Sequence, residues 1–567
     1  MSQTRGNIQA DLLFEVSSEV INKVGGIFTV IKSKAHVTAQ EYGKRYFLLG
    51  SYNEHQCRQD LEPCAPEQPE VVNALNQLRS EDVKVQQYSH PVNIVGHFHE
   101  WISAIGLILI QQTGVEMSTV FTTHATLLGR HLSAGQVDLQ YVLHNYFDCD
   151  QEAANRGFYY RYCIEKVAAN IAHVFTTVSK TTADEAERFL GRYPDLVTPN
   201  GMACDANVAT ETLQKEHRSA KEKIHDFVRG HFYGHLSFDL GKTLYMFLAG
   251  RYEYYNKGCD FFIEALARLN HRLQCEGTDV TVVAFIIMPA ATNGYNRASL
   301  QGQLVRKQLQ KAAEQLRDIF PPTMVNSCLS GMVPDFDGLS DSEEMDYLKA
   351  CFRNVAPDTE PPICTHNMVD DVFDPVLNEI RRCQLFNSKA DRVKVIFHAE
   401  FLSPSSPVLP MGYDEFVNGC HLGVFPSAYE PWGYTPAECA IMGVPSVTTN
   451  LSGFGCFIAD FVPDPDDYGI FIINRKSQSI EQAVEQLTCY LHRFTQQTQT
   501  ERGQQRRKTE LLRRVLDWRT LGVAYTKARC TAIQIHTGVV DQPPKKSTKK
   551  SFKLKLSPRG KKVAPTT

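Results

Sequence analysis

Short apolar runs alternate with stretches of helical periodicity twice along this chain, and that pattern constrains the fold most. The first series has strand candidates at 12–16 (LLFEV), 45–49, 92–96, 118–122 and 173–178, with helical stretches such as 101–112 and 151–170 between them. The second begins at 243–248 (TLYMFL) and continues at 281–288, 393–397, 421–425, 444–448 and 468–473. Strands separated by helices imply a mostly parallel sheet with helices on both faces. Two series predict an α/β chain of two Rossmann-like, doubly wound domains facing across a cleft. From 477 to 532 the chain reads as helices.

Two stretches break the pattern. Residues 51–91 are polar, carry Pro63, Pro66 and Pro69, and hold only one helical pattern, near Val71–Leu78. A doubly wound half-domain would normally supply further strand–helix units there, each of ~30 residues. Residues 290–392 form an insertion between two strands of the second series. Leu300, Leu304, Leu309, Ala313 and Leu316 fall at helix-like spacing ahead of an Asp-rich middle. Oligomer contacts and a decorative subdomain are the two readings of that insertion.

Composition narrows the class. With 43% hydrophobic and 22% charged residues, the chain fits a globular protein. The net charge of −4 hides a split, since 541–567 carries nine Lys/Arg and one Asp. The acidic remainder argues against nucleic-acid binding through the bulk surface. No apolar run approaches the ~18 residues of a membrane span. The N-terminal stretch lacks a signal-peptide core, and the sixteen cysteines show no CxxC pair. A cytoplasmic protein with free thiols, without membrane or nucleic-acid partners, is expected.

The chemistry concentrates at strand ends. After 12–16 comes a loop to Gly25-Gly26, then Ile27, Val30, Ile31, Lys34 and Ala35 at helical spacing, with Lys34 expected to snorkel to solvent. That is the opening of a nucleotide-binding α/β unit. The sharpest segment runs from Glu430 to Glu438 (EPWGYTPAE), directly after the strand CHLGVFP. Open α/β sheets bind ligands at the carboxyl ends of strands. Glycines admit a phosphate to the backbone, Pro436 suits a first helical turn, and free N–H groups at a helix start favour an anion. The blander reading makes Trp432 core and Glu438 a surface residue. Arg251 (AGRYE) and Lys257 (NKG) also follow a strand end. The histidines and cysteines do not gather into a recognisable metal-ligand motif, so no metal is expected.

The Glu430-x7-Glu438 spacing after a C-terminal Rossmann-like strand resembles retaining glycosyltransferases of the two-domain GT-B type. The surrounding text is similar to the glycogen synthases of animals and fungi over most of residues 11–535. It includes NKVGGIFTV, HFHEW, FTTHATLLGR, HVFTTVSK, FVRGHFYGH, AGRYE, NKG, CTHNM, YEPWGYTPAE and NLSGFG. The resemblance implies transfer of glucose from UDP-glucose to the non-reducing end of glycogen, forming α-1,4 links with retention and without a cofactor. It assigns Arg251 and Lys257 to diphosphate stabilisation and Glu430 to the transferred sugar. Lys23, Gly25, Gly26, His124, Arg130, Trp432, Gly433, Tyr434 and Thr435 become donor-site residues, and His99 and Glu438 neighbours of the cleft. His99 as a buried structural histidine is the alternative. The implied domains are 1–200 and 201–510, with a helix in 511–540 returning to the first and a basic disordered tail over 541–567.

The resemblance also implies activation by glucose 6-phosphate. Arg502 and Arg506, four apart on one helical face, match phosphate-contacting arginines, and Gln214, His217, Lys221 and His421 match further pocket positions. Gln499 and Thr500 stand where the family usually has arginines, and Glu211 and Thr212 replace a His–Glu pair, which points to a weakened sensor. A homotetramer through 290–392 and the priming protein glycogenin are further implied partners. Ser2, Thr4 and Ser557-Pro558 are the sparse counterparts of the family's phosphorylated arms. The shortfall in 51–91 implies an incomplete sheet with an exposed edge. It leaves a catalytically weak glycogen-binding paralogue or truncated isoform as the alternative reading.

Overall fold

The computed structural model describes residues 9–20, 26–62, 92–204, 210–330 and 360–540. The pattern near Val71–Leu78, the Asp-rich middle of the insertion, and the basic tail lie outside the described residues.

Six parallel strands form the first sheet: β1 (Leu12–Val16), β2 (Tyr46–Leu49), β3 (Ile94–His99), β4 (Ser118–Thr123), β5 (Val174–Thr177) and β6 (Leu196–Val197). Their order is β2-β1-β3-β4-β5-β6. The second domain supplies β7 (Thr243–Ala249), β8 (Thr281–Ile287), an antiparallel pair β9 (Thr292–Tyr295) and β10 (His366–Met368), then β11 (Val393–His398), β12 (Leu422–Val424), β13 (Ser446–Thr449) and β14 (Ile470–Ile473). Its main sheet runs β11-β8-β7-β12-β13-β14. That is the Rossmann order, reversing between β7 and β12, and ligands bind such sheets outside the carboxyl ends at the reversal. Strands β7, β8 and β11 are buried throughout because helices cover both faces.

The two α/β domains agree with the sequence reading, while several boundaries move. Strand β3 occupies 94–99, not 92–96, because His97 and His99 are buried in the sheet, where apolar patterning does not look for them. The helical stretch 151–170 is two helices, Cys149–Asn155 and Tyr159–Ile171, parted at Gly157 with φ 76°. Lys34 does not snorkel: it is 2% exposed and ion-paired to Glu15. The insertion contains the β9–β10 pair and a helix, Arg297–Leu329, packed on the helix Thr210–His231. A side chain at Gly302 would meet the Gly230 carbonyl at 2.2 Å, so that crossing requires glycine. At the β2 edge of the first sheet, Leu48 and Leu49 are exposed.

The helix Trp518–His536 lies across β3, β4 and β5 and against the helix Gly26–Tyr42. Trp518 is 1% exposed and donates its indole N–H to Ser33 Oγ at 2.8 Å. Tyr525 donates to Asn200 Oδ1 at 3.1 Å. The end of the described chain therefore clamps the first domain. Trp518→Ala is expected to destabilise the protein by ~3–5 kcal/mol. Trp518→Phe, which keeps most of the packing and loses the N–H bond, should cost much less. Denaturant unfolding measures both.

Candidate functional site

The Glu430 loop leaves β12 and is shaped from below. Trp432 is 4% exposed and packs on Phe454 and Phe457, so its ring is core. Gly433 takes φ 108°, a conformation that L side chains rarely adopt. Gly453 N donates to the Glu430 carbonyl at 2.9 Å, and Phe454 N to the Trp432 carbonyl at 2.6 Å. With the backbone fixed on both sides, the Glu430 carboxylate forms an ion pair with Lys257. Gly258 makes this approach possible. It has φ 69°, and a Cβ there would sit 2.1 Å from the Pro426 carbonyl. The loops following β7 and β12 touch at that point. The Lys257 and Glu430 side chains keep 16% and 20% of their exposure, so the pair is shielded but still open to a ligand. Arg251 is largely exposed and pairs with Glu253 at 2.8 Å.

The first domain supplies the facing wall. Thr126 caps the helix Leu127–Ala134 by accepting from Gly129 N, and that helix presents Arg130. The guanidinium lies 3.7 Å from Glu100. Glu100 is buried, has φ 65°, and accepts from His124 N at 2.9 Å; burial raises its carboxyl while Arg130 opposes the rise. A non-glycine residue with positive φ costs ~1–3 kcal/mol and persists only where its surroundings impose it. Arg130, Arg251, Lys257 and Glu430 line one cavity of about 680 Å³ between the domains. Ser133 Oγ donates across it to Asn256 Oδ1 at 2.7 Å. His131, Tyr254 and Tyr429 complete parts of the wall.

Behind this wall runs a buried relay. Lys34 and Tyr46 both donate to the Glu15 carboxylate. Burial alone would raise Glu15, but Lys34 and His99 hold it well below the usual carboxylate range. An ionised carboxylate only accepts, so His99 Nε2 is the donor in their 2.8 Å contact. In the neutral ring Nδ1 then accepts, and His124 Nε2 donates to it at 2.9 Å. Burial keeps both imidazoles below the usual histidine range. His99 is thus a fully buried link that orients His124. The sequence reading missed Glu15 as a site residue. Its only signal was a carboxylate inside an otherwise apolar strand.

Gly26 begins the helix Gly26–Tyr42, and a Cβ there would touch the Tyr434 ring at 3.8 Å, so the Gly26 end of that helix faces the Glu430 loop across the cleft. Lys23 and Gly25 lie outside the described residues. Tyr434 and Thr435 open the helix Tyr434–Ile441. The Tyr434 hydroxyl and the Trp432 indole N–H are buried and make no hydrogen bond among the described residues. Glu438 sits one turn further along, pushed up to about 7 by burial against the pull of Lys257. Also missed were Glu165 and Glu185, buried carboxyls behind Arg130. Burial pushes them up to about 8 and about 7.

A second group of cations lies on the far side of the second domain. His217 Nδ1 donates to the Asn418 carbonyl at 2.6 Å, and its ring meets His421 edge to face at 5.9 Å. Arg506 reaches the Cys420 carbonyl at 3.3 Å, and Arg502 the Gln497 carbonyl. Burial lowers Lys221, and the charges of Arg502 and Arg506 lower it further. Burial pushes Arg506 down to about 10 and His217 to about 3, the latter with help from Arg506. Clustered cations that depress one another are relieved by a bound anion. The structure thus brings His217, Lys221, His421, Arg502 and Arg506 together. Gln214 lies one turn before Arg218 on the same helix and accepts from it through its backbone carbonyl at 3.5 Å.

Among the described residues two side-chain groups have potential metal-ligand geometry, Glu15–His97–His99 and Glu264–Glu379–Cys383. Protein cations occupy the carboxylates of both, Lys34 in the first and Arg268 and Arg382 in the second. The cysteines among the described residues are free, and no described helix is long and apolar enough to cross a membrane.

Two parallel α/β sheets facing across a cleft, with a lysine–carboxylate pair at the β7/β12 reversal, define a glycosyltransferase of the GT-B class. The glycogen synthase family model matches the chain in two segments, residues 15–92 and 84–566. The liver glycogen [starch] synthase of Mus musculus is 45% identical over 91% of this chain and 82% of its own length. Glycogen [starch] synthase of Neurospora crassa is 44% identical over 93% and 84%. Isoform 1 of Saccharomyces cerevisiae is 43% identical over 92% and 86%. The chain belongs to the glycogen synthase family. The two matched segments overlap at residues 84–92, at the end of the polar stretch 51–91.

The two glycines of opposite circumstance make a test. Gly258→Ala is expected to destabilise the protein by at least ~1–3 kcal/mol. Gly503→Ala, in a helix with open space around it, should stabilise by ~0.5–1 kcal/mol. Thermal unfolding of the two variants reads the signs.

Proposed function

We propose that the interdomain cavity transfers glucose from UDP-glucose to the non-reducing end of glycogen, forming α-1,4 links with retention. The observation that carries this reading is the Lys257–Glu430 pair, flanked by Arg251 and Arg130 in one cavity at the sheet's reversal point. Departure of UDP builds negative charge on the diphosphate, and preorganised cations in a shielded cleft lower that barrier most. Lys257 stands ready beside the carboxylate, and exposed Arg251 is ion-paired to Glu253. Glu430 orients the sugar and offsets positive charge developing at its anomeric carbon, without a covalent role. On this reading His124, oriented by His99, serves the donor's sugar, and Gly26 with Tyr434 its nucleotide.

The second cation cluster is proposed to take the phosphate of glucose 6-phosphate. Arg502 and Arg506 are the phosphate ligands, with Gln214, His217, Lys221 and His421 around them, giving a sensor weakened by Gln499 and Thr500. Exposed Leu300, Leu304, Val325 and Leu329 on the insertion helix support a homotetramer formed through it. Glycogenin and a cytoplasmic setting follow from the family alone.

Incorporation of labelled glucose from UDP-glucose into glycogen tests the reading directly. Absence of incorporation would favour a glycogen-binding paralogue, the reading to which the thin 51–91 segment and the exposed β2 edge lend weight. Glu430→Gln is expected to lower kcat by ~10²-fold or more while KM for UDP-glucose changes little; an equal effect on both would count against the assigned role. Titration with glucose 6-phosphate should raise the initial rate, and Arg506→Ala should abolish the rise.

A further inference from the structure

Glu185 lies in the first domain on the helix Lys180–Leu190, far along the chain from Arg130 and from Glu430. Its carboxylate nevertheless holds parts of both walls of the cleft. Oε2 accepts from Thr126 Oγ1 at 2.7 Å, and Thr126 caps the helix that carries Arg130. The same oxygen accepts from the Tyr429 hydroxyl at 3.3 Å, and Tyr429 directly precedes Glu430 in the second domain. The contact is built rather than incidental. A Cβ on Gly129 would sit 2.3 Å from Glu185 Oε2, so a glycine is needed for the carboxylate to reach the cap. The start of the Glu185 helix is docked as well. Gly453 lies so close to its cap residue Ser179 that a Cβ on Gly453 would sit 2.6 Å from Ser179 Cβ, and Gly453 N holds the Glu430 carbonyl. Arg130 and Glu430 are therefore spaced through one buried carboxylate.

We infer that Glu185 is a positioning residue for the transfer: through Thr126 and Tyr429 it fixes the Arg130 helix and the Glu430 loop in the closed spacing that the donor's diphosphate and sugar need. It touches neither substrate nor reacting atoms. The inference rests on the proposed transfer activity for its kinetic consequences, but the coupling itself is geometric.

The test uses the full chain with Glu185→Gln, which keeps the shape and replaces the shared carboxyl oxygen by a weaker amide acceptor, and Tyr429→Phe, which removes one hydroxyl. Each single variant should lower kcat ~10-fold, the scale of one hydrogen bond. KM for UDP-glucose should stay within about twofold, since the loss falls on alignment in the transition state. The double variant should fall no further than the worse single one, because both break the same link. Multiplying effects, kcat within about twofold of the parent, or a rise in KM alone would overturn the inference. Should Glu185→Gln fail to fold, Tyr429→Phe decides by the same criteria. Hydrogen exchange separates this from the activity reading. Both variants should speed amide exchange in 126–131 and 428–433 together. A parent chain that transfers no glucose would overturn the proposed function, and unchanged exchange in both segments would overturn the link.

Discussion

The Lys257–Glu430 pair is the interaction around which the second domain is arranged. It joins the loops after β7 and β12, the two strands where the sheet reverses. A shielded ion pair is costly to form, and breaking one partner away leaves an uncompensated charge. The surroundings explain how it persists. Gly258 lets one loop touch the Pro426 carbonyl, Gly433 turns the other, and the buried Trp432 ring anchors that turn in the core. A pair held in this way stores positive charge beside a carboxylate in a cavity open to solvent. On the proposed reading, an incoming diphosphate would meet a cation already placed, which leaves little reorganisation for the reaction itself.

The first domain meets the same requirement with a neutral relay and an outlying cation. Glu15 is compensated by Lys34, which fixes the tautomers of His99 and His124 without adding charge at the cleft. Charge is carried instead by Arg130, set over Glu100 and the buried carboxyls behind it. The helix Trp518–His536 closes this domain from behind, so its stability depends on chain that comes after the entire second domain.

Much of this was legible in the residues alone. The alternation of apolar runs pointed to both sheets, and the glycine-rich loops at strand ends located Arg251, Lys257 and Glu430. The resemblance of motifs grouped the arginines of 502 and 506 with His217, Lys221 and His421, which the structure also brings together. Burial was the weakest part of the reading. Lys34 looked like a snorkelling surface residue because helical spacing cannot tell which neighbour a buried lysine will find. His97 and His99 were left out of β3 because polar rings count against a strand until a carboxylate and a threonine are there to receive them. Glu185 carried no signal: one glutamate on an amphipathic helix is ordinarily solvated.

The sequence by itself determined the element types, the parallel sheets and the positions of the reactive loops, since these follow from local periodicity and from glycine and proline at strand ends. Only the tertiary structure decided which of those loops meet. Glu15 and His99 are 84 positions apart, Lys257 and Glu430 173, and Glu185 and Tyr429 244. Sheet order sets such pairings, and sheet order depends on how whole layers pack rather than on any local run of residues. The electrostatics follow the same division. Composition gives the net charge, but the cost of burying each carboxylate, and the cation that offsets it, exist only once the domains have closed over them.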